Sequence, residues 1–139
     1  MSVIVGSVDG QGKPACCRAV ALRSSDGLAT VTVFVPVATS RETMANVANT
    51  RRLAVVSTQP IEHCATQLKG IAESTRVARE DEQPFVRQHL GSFAAVLNSL
   101  GYPPRVTNAV VHWPAFAIEM RVEEIYEQSP GPKAGTRLR

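Results

Sequence analysis

Three short segments concentrate the groups able to hold an anion: Arg18-Ala19-Val20-Ala21-Leu22-Arg23, Thr39-Ser40-Arg41 and Gln67-Leu68-Lys69-Gly70. Guanidinium groups offer paired N–H donors, hydroxyls add one each, and the first amides of a helix supply fixed donors suited to a dianion. Brought together, they would make a site for a phosphorylated ligand. Gln67 and Lys69 alternate with Leu68, so a strand places their amide and ammonium groups on one face. Arg18 and Arg23 have opposite parity, so a regular strand sends them to opposite faces unless a bulge re-aims one of them.

Little else in the chain supports catalysis by side chains alone. No nucleophile is followed by an adjacent base, and the carboxylates cluster in the runs Glu80-Asp81-Glu82 and Glu123-Glu124, which read as solvated. His63-Cys64, His112 and Cys16 lack the spacing of a structural zinc site, so no metal is expected. Cys16, Cys17 and Cys64 do not suggest a disulfide framework. The imidazoles of His63, His89 and His112 leave haem ligation open. Trp113 reads as core or interface packing, with stacking on a bound ring as the alternative.

These groups must be positioned by strands. Val3 to Val8 ends at Asp9-Gly10-Gln11-Gly12, Ala15 to Arg23 ends at Ser24-Ser25-Asp26-Gly27, and Ala29 to Val35 ends at Pro36. Glycine-bearing turns between β-rich runs predict antiparallel hairpins. Thr39 through Asn49 has helical spacing at Met44, Val47 and Ala48, with Thr39 and Glu42 in a capping-box arrangement. Arg52 to Thr58 and Ala65 to Val77 return to strand. A second helix is marked by Phe85, Val86, Leu90, Phe93, Leu97 and Leu100, with Gly101 as its stop. Val110 to Val122 completes about six antiparallel strands, predicting a mainly β fold with two inserted helices, closed as a small barrel. No Gly-x-Gly-x-x-Gly opens a helix, which sets aside a dinucleotide-binding fold.

Composition fits this outline. The chain has 139 residues, 44% hydrophobic and 19% charged, enough for one packed core. Residues 1–128 are expected to form one domain, and 129–139 a basic tail containing Pro and Gly. A net charge of +3, partly carried by Lys133, Arg137 and Arg139, is too small to imply nucleic acid. Without a bilayer-spanning run or a leader, the expected location is cytoplasmic, with no membrane partner.

The order of these segments resembles the pyridoxamine 5′-phosphate oxidase-related family of split β-barrels. Arg18 to Arg23 is similar to that family's Arg-x-Val-Leu-Leu-Lys strand, and Ser40-Arg41 to its Ser-Arg-Lys helix start. Asn46 and Asn49 before Arg52-Leu53-Ala54-Val55 resemble its asparagine-containing helix and following strand, while Gln67 to Gly70 resembles its strand ending in glycine. Residues Ile125 to Pro132 look like the ending of its smaller members.

The resemblance implies FMN at the interface of a homodimer, with electrons supplied by a nicotinamide donor or a small-molecule substrate. It assigns Arg18, Ala19 and Val20, then Val35, to the cofactor, together with Thr39, Ser40, Arg41 and Gln67. Departures narrow the activity: Glu42 replaces the family lysine, Val35-Pro36 replaces Tyr-Thr, and the terminal Arg-x-His element is missing. Pyridoxamine phosphate oxidation itself is not expected. A non-catalytic barrel that stores or senses flavin or haem is the alternative, and a deazaflavin would differ only in ring contacts. Ser40 as a simple helix cap and Arg41 as a solvated charge remain the plain alternatives.

Overall fold

Val20 is the residue at which the sheet closes. The computed structural model describes residues 1–139, the Asp26 side chain excepted. Its strands are β1 (Ser2–Val8), β2 (Pro14–Ala19), β3 (Ala21–Ser24), β4 (Thr30–Pro36), β5 (Arg52–Gln59), β6 (Cys64–Val77) and β7 (Ala115–Glu127). All neighbours pair antiparallel in the order β2-β1-β5-β6-β7-β4-β3. The two ends of this order, β2 and β3, are consecutive in the chain and separated only by Val20. The Val20 amide donates to the Phe34 carbonyl at 2.8 Å, carrying the chain from β1 to β4. One bent strand therefore serves both edges, which removes the open edges of a flat sheet.

The expected run Ala15 to Arg23 thus becomes two strands, giving seven in place of the expected six or so. Alternation explains the faces. Val3, Val5 and Ser7 of β1 point inward, opposite Cys17 and Ala19 of β2 and Val55 and Leu53 of β5. Inside, Val31, Val33, Ile118, Met120 and Leu68 complete the main core. A second core lies on the outer face, where Val20, Ala21, Phe34 and Ala117 pack with Val86 and Phe85.

Helix α1 (Arg41–Thr50) closes the main core with Val47. It is fastened to β1 by Asn46 Nδ2 donating to Ser7 Oγ (3.1 Å) and Thr50 Oγ1 donating to the Val8 carbonyl (2.9 Å). Its N-cap is Ser40, and no side-chain cap bond forms, so the expected Thr39–Glu42 capping box is not made. Thr39 instead ends a 3-10 turn, Val37–Thr39, that follows directly from β4. Helix α2 (Gln83–Ser99) is followed by Gly101 at φ +95°, a left-handed conformation that favours glycine, and then by the short α3 (Pro104–Thr107). No described helix is long and apolar enough to cross a membrane.

The last strand begins at Ala115, later than the expected Val110, and runs on to Glu127. Pro114 lacks an amide donor, so the ladder starts after it. Beyond Glu127 the basic tail is exposed but not free: Leu138 donates to the Ile125 carbonyl (2.7 Å) and the Arg139 guanidinium to the Leu28 carbonyl (2.7 Å). Its backbone returns to pair beside β7 at Tyr126 and Arg137.

Candidate functional site

Ser40 stands at the start of α1 with its side chain fully buried, and its Oγ has no hydrogen-bond partner among the described residues. Its carbonyl accepts the Met44 amide at 2.8 Å, as a helix start requires, but its hydroxyl does nothing for the first-turn amides. The plain reading of Ser40 as a side-chain cap therefore fails. Thr39 and Arg41, its chain neighbours, are exposed. This helix end has uncapped amides and the exposed Arg41 guanidinium, a donor set that suits a phosphate, with the orphan Ser40 hydroxyl buried behind them. Glu42, also exposed in the first turn, partly offsets that charge.

Strand β2 lies against this helix through Cys17, whose thiol is hydrogen-bonded to Thr43 and pushed up first of all by burial. Arg18 leaves from the opposite face of the strand. Its Nη1 donates to Ser2 Oγ at 2.9 Å and its guanidinium lies 5.8 Å from the centroid of Phe93 on α2. No hydrogen bond or ion pair joins Arg18 to Thr39, Ser40 or Arg41 among the described residues. Ala19 is buried in the main core and Val20 in the second. Val35, fully buried and paired with Phe116, has only its main chain to offer a ligand.

Arg23 has a structural partner. The break at Val20 resets the alternation, so Arg18 and Arg23 both face outward, toward Phe93 and Phe85 of the same helix. Arg23 Nη2 donates to Glu82 Oε1 at 2.9 Å, and Arg76 grips the same carboxylate in a two-pronged fashion at 2.7 and 2.8 Å. Glu82 also accepts the Arg79 amide (2.9 Å), and only 3% of its side chain is exposed. The Arg76 guanidinium, above the other partners, holds this carboxyl far below the usual carboxylate range. Glu82 thus corrects the expectation of a wholly solvated acidic run. Arg76 and Arg79 are near Glu82 in sequence, but Arg23 is 59 residues away and is brought to it only by the fold.

Gln67 and Lys69 share the outer face of β6, as expected from their spacing. Gln67 Oε1 accepts Gln128 Nε2 at 3.3 Å. The Lys69 ammonium lies 4.5 Å from the centroid of Tyr126, whose hydroxyl donates to the Glu124 carboxylate. That bond pulls the Glu124 carboxyl down and pushes the Tyr126 phenol up. Lys69 and Glu124 border an open cavity of about 690 Å³ on this face, with Gly6 and Ala54 on its floor. Trp113 is half-buried and packs against the second core. Among the described residues, no three of His, Cys, Asp or Glu come together as a metal site.

No family model and no curated protein matches the chain. The fold recurs among solved structures. The chain is similar to a putative pyridoxamine 5′-phosphate oxidase from Lactobacillus delbrueckii, with TM-score 0.53 and 15% identity over 90% of this chain and 83% of that one. An FMN-binding protein from Syntrophomonas wolfei gives 0.54 and 11% over 91% and 76%. HutZ, the heme storage protein of Vibrio cholerae, gives 0.50 and 8% over 91% and 84%. At these identities the likeness is one of fold: the observed architecture is the split barrel that the segment order implied.

Proposed function

We propose that the protein is an FMN-binding flavoprotein, acting as an FMN-dependent oxidoreductase other than pyridoxamine phosphate oxidase, with the flavin between two copies of the chain. One observation carries this most directly: a split barrel whose α1 begins with uncapped amides and the buried, unpartnered Ser40 hydroxyl. An unsatisfied buried hydroxyl is costly unless a ligand supplies its partner. Ser40, the first-turn amides of α1, Thr39 and Arg41 would hold the phosphate. Arg18, turned to the other face of β2, takes no part in that anchor. Bound FMN would supply the two-electron redox chemistry that the side chains lack.

Gln67 and Lys69 lie on the outer face, where an amide and an ammonium would meet the polar edge of the ring and negative charge on it. The same face favours a second copy: its cavity has a floor of small residues and a rim that carries Arg52 and Lys69 as well as Glu123 and Glu124. A two-fold axis could set each sign against the other. HutZ supports a second occupant, haem, on the same fold.

Purification with added FMN is expected to give a yellow dimer, stoichiometric in flavin by released-cofactor mass spectrometry, that oxidises a reduced nicotinamide. A Soret band on reconstitution would instead favour haem, and a deazaflavin mass would replace FMN. Arg41→Ala is expected to weaken FMN by about 10- to 100-fold, the range of one charge-assisted hydrogen bond. Ser40→Ala gives a sharper separation. Deleting an orphan hydroxyl leaves the apoprotein's urea midpoint unchanged or raised, yet weakens FMN by roughly tenfold. Unchanged flavin affinity in both variants would remove α1 from the site.

A further inference from the structure

We propose that the cavity beneath α2 and α3 is a binding site for a small apolar monocarboxylate, with Arg18 as its anion anchor. This site is separate from the flavin anchor and does not depend on it. The cavity, about 290 Å³, lies between the two helices and the first strands of the barrel. It is near the lower end of small-ligand sites and too small for a flavin with its ribityl phosphate. A short acyl chain or one substituted ring would fit.

The apolar stripe of α2 explains why the cavity exists. Val86 is fully buried in the second core, but Leu90, Phe93 and Leu97, about one, two and three turns further on, line the cavity and remain half-buried. Val20 and Val106 complete the apolar wall. An amphipathic helix normally spends such a stripe against the core. Here its second half faces a space that a ligand of matching character can fill.

Charge selects the ligand. Among the described residues lining the cavity there is no carboxylate, and Arg18 enters no ion pair. Of its five N–H donors one is engaged, by Ser2 Oγ, while the guanidinium is held over Phe93. The planar fork so positioned matches one carboxylate. The Met1 ammonium and the His89 imidazole also line the cavity, and burial pushes both down, which leaves Arg18 as the one cation there that stays charged at any ordinary pH. An apolar wall with one permanent cation at its exposed end suits a monoanion with a hydrophobic body.

Octanoate and octan-1-ol serve as probes of equal chain length, measured by calorimetry on the full chain with and without saturating FMN. The wild type is expected to bind octanoate at least about tenfold more tightly than the alcohol, the effect of one charge-assisted hydrogen bond. Arg18→Leu should abolish that preference while keeping the alcohol within about threefold. Leu97→Trp, filling the cavity, should abolish both, with urea unfolding used to verify that each variant is folded. FMN should leave octanoate binding unchanged. Failure of the folded wild type to bind octanoate at low millimolar concentration overturns the proposal, as does a preference that survives Arg18→Leu. Displacement of octanoate by FMN would place it in the flavin site and likewise overturn a separate pocket.

Discussion

Glu82→Ala is expected to lower the unfolding free energy by about 3 kcal/mol, the low end of the cost of breaking a buried ion pair. The carboxylate is 3% exposed while Arg23 and Arg76 are 42% and 37% exposed, so solvent takes up part of what the arginines lose. The effect concentrates in one place because Glu82 joins elements that are distant in the chain. Arg23 comes from β3, Arg76 from β6, and the Arg79 amide from the turn that launches α2. Without the carboxylate, three donors face one another across the start of α2. The helix then loosens from the second core, where Phe85 and Val86 meet Phe34.

Acid should erase this difference in a defined direction. The folded state holds the Glu82 carboxyl far below its ordinary value, so the unfolded chain binds the proton first. Its contribution is complete above the ordinary glutamate range, near pH 4.5, and is lost as pH falls further. Urea unfolding of wild type and Glu82→Gln should therefore give a stability gap that is constant from pH 7 to 5 and narrows steadily toward pH 2. A gap independent of pH over that acid range would show that the carboxylate is not specifically stabilised in the folded state.

The strands were legible because their alternation is strong. Val3 and Val5, or Val31, Val33 and Val35, bury one face whatever the topology. The closure at Val20 was not legible, since Ala19, Val20 and Ala21 are apolar on either parity and the break leaves no mark in composition. Val110 and Val111 likewise read as strand, and only pairing reveals that the ladder waits for Ala115. At the candidate site, Ser40 and Arg41 could be singled out by residue type and resemblance. That the Ser40 hydroxyl lacks a partner depends on what surrounds it in space, and so does the turn of Arg18 away from α1. Local spacing recovers faces; it cannot recover partners contributed from 50 residues away, as Arg23 shows with a separation of 59.

Gly70→Ala is expected to cost about 4 kcal/mol or more, or to prevent folding, while Gly6→Ala stays within about 1 kcal/mol of wild type. Both glycines lie inside strands, so backbone entropy alone favours alanine at each. Space decides otherwise. A Cβ at Gly6 would meet the Ala54 carbonyl oxygen at 3.8 Å and the Ala54 Cβ at 3.9 Å, ordinary contacts. At Gly70 it would stand 2.0 Å from the Arg121 carbonyl oxygen and 3.0 Å from its carbon. That oxygen belongs to β7, which is held on its other side by β4, with Arg121 opposite Thr30. It cannot retreat without moving two ladders. The close approach coincides with the register shift between Lys69 and Gly70, where β7 has an extra residue. Because Lys69 and Glu124 are paired just beyond that shift, any Gly70→Ala protein that does fold should also show a disturbed Tyr126 environment by NMR. Equal melting temperatures for Gly70→Ala and Gly6→Ala would mean that the two strands do not approach so closely, and the outer face bearing Gln67 and Lys69 would need a different register.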